Sequence, residues 1–94
     1  MDKSIKKTEI TKQLPIIIIP AYNPGDDLVE FVEKLLQEDY SKILVVDDGS
    51  KEECADIFTK VKNLERVVLL RNAVNLGKGA ALKLAFNYVL VNFP

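Results

Sequence analysis

With 94 residues, 48% of them hydrophobic and 29% charged, the chain has room for one small domain and too much apolar content for general disorder. Its 13 basic and 14 acidic residues leave a net charge of −1, which gives no electrostatic case for nucleic acid or an anionic membrane surface. A single cysteine, Cys54, and the lack of any histidine exclude an internal disulfide, zinc sites and Ser-His-Asp or Cys-His arrangements.

Residues 1–13 are polar and aperiodic and are expected to form a flexible leader. Lys3, Lys6, Lys7 and Lys12 precede no apolar signal region, so a secretion signal is not expected and a cytoplasmic location is. No apolar run approaches the roughly 20 residues that span a bilayer. From Leu14 to Ile19 the chain contains four consecutive isoleucines and reads as a strand covered on both faces. The breaker-rich loop Pro20 to Gly25 follows. Within it Asn23 and Pro24 read as an N-cap and a first helical position. Leu28, Phe31, Val32, Leu35 and Leu36 then recur at helical spacing.

Residues 42–47 read as the second strand, four apolar side chains running into the carboxylates of Asp47 and Asp48. Ser50 and Glu53 have the spacing of a capping box for a helix whose buried face is Cys54, Ile57, Phe58 and Val61. Arg66 to Leu70 reads as the third strand and Asn72 to Gly77 as a loop. A third helix is expected from Lys78 to Val91, with Leu82, Ala85, Phe86, Val89 and Leu90 on its apolar face. The order β-α-β-α-β-α with short connections requires right-handed crossovers and a parallel sheet of about three strands, a Rossmann-like three-layer α/β architecture. Ligands of such sheets bind at the C-terminal edge of the strands.

Three loops must meet at that edge: Pro20-Ala21-Tyr22-Asn23, Asp47-Asp48-Gly49-Ser50 and Asn75-Leu76-Gly77-Lys78-Gly79. Each has a plain structural reading. The first is turn chemistry, the second a pair of solvated acids at a helix N-terminus, the third helix-entry flexibility beside a surface lysine. Their joint arrival favours a site. Carboxylates accept from the N–H of a base and from ribose hydroxyls, while Lys78 and amides near Gly79 suit phosphate. Together they outline a nucleotide-diphosphate cradle. The stretch around Lys78 is neither a P-loop, since Gly79 stands where Ser or Thr should follow the lysine, nor a dinucleotide fingerprint, since Leu82 replaces its third glycine.

A strand ending in PAYN, a strand ending in VVDDGS and a helix opening with NLGKGAALKLAF resemble, in order and spacing, the N-terminal half of family 2 glycosyltransferases of GT-A fold. The resemblance covers Leu14 to about Pro94 and leans toward the dolichyl-phosphate-sugar and bacterial polysaccharide types. It implies a nucleotide pocket of Pro20, Ala21, Tyr22, Asp47, Asp48, Gly77, Lys78 and Gly79, with Asp48 accepting from the base and Asp47 supporting the ribose or ordering the loop. It implies transfer of a sugar from a UDP- or GDP-linked donor to an acceptor hydroxyl or lipid phosphate, with Mg²⁺ or Mn²⁺ in the parent enzyme.

Two departures stand out. Pro24 follows the PAYN asparagine where many members carry an acid, and the family's Asp-x-Asp segment and catalytic base have no counterpart in the 94 residues. Asp47 and Asp48 are adjacent and do not form that metal segment. No catalytic or metal residue is therefore assigned, and the expectation is a truncated domain that binds nucleotide without turnover. In the family a further strand lies beside the first, giving the order 3-2-1-4. Without it Ile16 to Ile19 form an open apolar edge, so a homodimer through the first strand or third helix is expected. The competing readings are a phosphorelay receiver, weakened because Leu70-Arg71-Asn72 lacks a phosphoacceptor aspartate, and an α/β interaction module whose loops bind nothing.

Overall fold

In a computed structural model, residues 14–39 and 42–93 are described; the stretch expected to be a leader lies outside them. The elements follow the expected order: β1 (Ile16–Ala21), α1 (Asp27–Leu35), β2 (Lys42–Asp48), a single 3-10 turn (Glu52–Cys54) leading into α2 (Ala55–Lys62), β3 (Val67–Asn72) and α3 (Lys78–Asn92). The sheet is three-stranded and parallel in the order β1-β2-β3. Ile16 pairs with Lys42 and Ala21 with Asp47; Ile43 pairs with Val67 and Asp48 with Asn72. The fold is thus the α/β, Rossmann-like half that the strand and helix order requires.

β2 is the middle strand and is enclosed on both faces. Ile43, Leu44, Val45 and Val46 have no solvent exposure, and each such burial stabilises by about 1.5–3 kcal/mol relative to exposure. Alternation along the strand divides them between two cores. Ile43 and Val45 pack with Leu28 and Val32 of α1 and Phe58 and Val61 of α2. Leu44 and Val46 pack against Ala81 and Ala85 of α3 on the opposite face. The layers are therefore α1 and α2, the sheet, then α3.

Apart from β3, which also runs two residues further than expected, through Arg71 and Asn72, local detail departs from sequence expectation in four places. β1 runs two residues further than expected, through Pro20 and Ala21. Pro20 has no N–H to donate, and a strand accommodates it because β1 lies at the sheet edge. The first helix starts at Asp27 behind Asp26, not behind Asn23, whose φ of 49° is left-handed. Its acids Asp27 and Glu30 open it and Lys34 closes it, as the helix dipole favours. Phe31, expected on the buried face, is half exposed. The Ser50–Glu53 capping box does not form, because Glu53 lies in the 3-10 turn behind Lys51 and no side chain caps that turn. The fourth departure concerns α3. Ala81 and Ala85 are its fully buried positions and Leu84, Tyr88 and Val89 pack beside them, whereas Phe86 and Leu90 of the expected face are exposed. Small residues let the helix backbone approach β2 closely, which Leu82 or Phe86 in the same place would prevent.

Arg66 ties the lower end of the sandwich together. Its guanidinium donates to Leu36 O at the C-terminus of α1 at 2.6 Å, and its own carbonyl accepts from Ile43 N at 2.9 Å. A cation on the last carbonyls of a helix is favourable.

Candidate functional site

β2 ends in two buried carboxylates, Asp47 at 6% and Asp48 at 4% exposure. Period-two alternation sends them to opposite faces of the sheet. Asp47 continues the row of Ile43 and Val45 toward α2. Asp48 continues the row of Leu44 and Val46 toward α3.

Asp48 organises the third loop. Its Oδ1 accepts from Asn72 Nδ2 and from Leu76 N, both at 3.1 Å, and its Oδ2 accepts from Gly77 N at 3.0 Å. The Asn72 hydrogen bond first, then that from Leu76 N and lastly that from Gly77 N, hold its carboxyl below the ordinary value of 3.8, against the raising effect of burial. Gly77 is the residue before α3 and has φ 96° and ψ 162°, a region that only glycine enters freely. Its N–H also donates to Asn75 Oδ1 at 2.9 Å. The turn so made delivers Lys78 as the first residue of α3, a helix with no acidic side chain in its first turn.

Asp47 organises the loop that follows it. Its Oδ1 accepts from Ser50 N at 2.9 Å, and Arg71 Nε stands 3.7 Å from its Oδ2. Arg71 is 68% exposed, so that pair contributes little beyond orientation. Ser50 Oγ in turn accepts from Asn23 N at 2.8 Å, and Asn23 Oδ1 accepts from Lys51 N at 2.8 Å. Between the two acids' territories Gly49, at φ 73°, lies so close to the third loop that a Cβ would overlap the backbone of Val74 and Asn75.

Of the residues singled out from sequence, Pro20, Ala21, Tyr22, Asp48, Gly77 and Lys78 line one open cleft of about 270 Å³, joined by Asn75. Asp47 is not among its walls; it lines a separate groove of about 490 Å³ with Lys51, Lys62 and Arg71. Gly79 follows Lys78 in the first turn of α3 and faces open space, outside the cleft lining. Sequence reading placed Gly49 and Asn75 in the converging loops without giving either a role, and it did not place Asn72 there. The signal for Gly49 was present, a glycine directly after a strand, whereas Asn72 and Asn75 carried none beyond turn composition.

The two acids face away from one another, and among the described residues no three Asp, Glu or Cys side chains gather to hold a metal. Also among the described residues, no helix is long and apolar enough to cross a membrane.

Comparison with known proteins bears on the chain as a whole. An uncharacterized protein of Methanocaldococcus jannaschii is 34% identical over 86 residues, covering 92% of this chain and 34% of that protein. A UDP-Glc:α-D-GlcNAc-diphosphoundecaprenol β-1,3-glucosyltransferase of Escherichia coli is 38% identical over 71 residues, covering 73% of this chain and 27% of the enzyme. A dolichyl-phosphate β-glucosyltransferase of Dictyostelium discoideum is 31% identical over 80 residues, covering 71% and 24%. The chain spans about a third or less of the length of these curated relatives. No solved structure gives a significant match. The family described as Glycosyl transferase family 2 matches residues 16–92, nearly the whole described fold, and the chain belongs to that family.

Proposed function

We propose that the Asp48 cleft takes the nucleoside-diphosphate end of a sugar donor, and that the protein to which this fold belongs transfers that sugar to an acceptor. The observation that supports this most directly is the closure of three loops, one from each strand, on a single cleft in a chain of this family. Pro20, Ala21 and Tyr22 form one wall. Asp48 Oδ2 carries one protein donor and keeps acceptor capacity for a ring N–H, which uracil and guanine both offer. Lys78 and the free amides at the start of α3, Gly79 among them, suit the diphosphate. Asp47, on the other face, serves by ordering the loop at 49–51 rather than by touching the ribose. Donors linked to UDP or GDP fit this arrangement, and the named relatives point to lipid-linked acceptors. Carboxylates for Mg²⁺ or Mn²⁺ and a catalytic base are not assigned among the described residues.

Calorimetric titration with UDP and with GDP tests the reading. Binding is expected for at least one of them, weakened about tenfold or more by Asp48→Ala, since a charged hydrogen bond contributes about 1.5–3 kcal/mol. Lys60→Ala, on the exposed side of α2, should change it less than about twofold. Absence of heat with both nucleotides would instead favour an α/β interaction module.

We also infer a cytoplasmic protein that associates through β1. Among the described residues that strand pairs with β2 alone, and its four isoleucines are only half buried. Pairing with β1 of a second copy across a two-fold axis would satisfy its open backbone groups.

A further inference from the structure

We propose that Asn23 and Ser50, neither of which lines the cleft, are positioning residues that set Tyr22 in its wall. The sheet ladder that fixes β1 stops at the pair Ala21–Asp47, immediately before Tyr22. Tyr22 is half exposed and needs another restraint to stay in place. That restraint is a reciprocal clasp from the next residue. Asn23 gives its backbone N–H to Ser50 Oγ and takes Lys51 N on its own Oδ1, both at 2.8 Å. Ser50 is itself fixed by its N–H to the buried Asp47. The side chain at 23 must combine an acceptor with tolerance of φ 49°, and Asn meets both needs. This is where the sequence-level reading of Asn23 and Ser50 as helix caps goes: both oxygens are committed between loops instead.

The effect on affinity rests on the nucleotide reading above; the placement of Tyr22 does not. The chain has three tyrosines, Tyr22, Tyr40 and Tyr88, so 3-fluorotyrosine labelling gives three ¹⁹F resonances, assigned by Tyr→Phe variants. Tyr88, packed against the core between α3 and the sheet, reports on the fold. Asn23→Gly keeps the backbone freedom and loses the acceptor; Ser50→Ala loses the other half of the clasp. Each should shift or broaden the Tyr22 resonance, leave Tyr88 in place and weaken UDP or GDP binding about fivefold. The double variant should be no weaker than the poorer single one, because the two bonds act as one unit. Asn23→Asp, which retains both the acceptor and the left-handed tolerance, should match the unaltered protein. An unmoved Tyr22 in both single variants overturns the proposal, as does a Tyr88 that moves with it in both, or an Asn23→Asp no better than Asn23→Gly. If the unaltered protein binds neither nucleotide, the nucleotide reading fails while the Tyr22 resonance still decides the positioning.

Discussion

Two adjacent aspartates at the end of β2 do unlike work because consecutive residues of a strand face opposite ways. That was available in the sequence, since Asp47 shares a parity with Ile43 and Val45 and Asp48 with Leu44 and Val46. The cradle outlined from the residues took the two acids together, and only the resemblance gave them different roles. The consequence for acid stability belongs to Asp48. Its carboxyl is lowered by Asn72, Leu76 N and Gly77 N, so the folded state favours the charged form relative to the unfolded chain. Its contribution is fully present above the ordinary value of 3.8 and is lost as pH falls below it through the lowered native value. Asp48→Asn should therefore flatten the acid limb of stability against pH below the ordinary value of 3.8, measured by urea unfolding; an unchanged limb would assign it to other carboxylates. Gly49→Ala is the harsher change. It combines left-handed strain with overlap on the Val74–Asn75 backbone, and a loss of about 3 kcal/mol is expected in the same experiment.

At the scale of elements, long apolar runs made the strands legible, and their order fixed the crossovers and hence the edge where the loops gather. Caps were illegible because the oxygens of Asn23 and Ser50 have tertiary partners 27 and 28 residues away, and local spacing says nothing of those. The buried face of α3 was illegible for another reason. Apolar residues surround that helix, so periodicity cannot choose a face, and close approach to β2 selects the alanines. Two substitutions separate the faces. Ala85→Leu should cost about 1–3 kcal/mol by overpacking. Leu90→Glu, at 71% exposure, should stay within about 0.5 kcal/mol of the unaltered protein. Equal losses from the two would place the core of α3 elsewhere.

For the whole molecule, among the described residues β1 pairs with β2 alone and Phe86, Leu90 and Val91 of α3 are exposed, which together leave apolar surface. Sedimentation equilibrium across a hundredfold concentration range should show a monomer–dimer equilibrium; a constant monomer mass would rule out association through β1. The opposed carboxylates have one more consequence, for engineering. Each acid fastens a different neighbour to β2: Asp48 the segment at 72–77, Asp47 through Ser50 the segment at 22–25. The cleft is therefore modular. A library that varies Asn75 and Lys78, which line the cleft, while keeping Gly49, Asp48, Asn72 and Gly77 can recut one wall without loosening the other, so altered ligand preference need not begin with a destabilised scaffold.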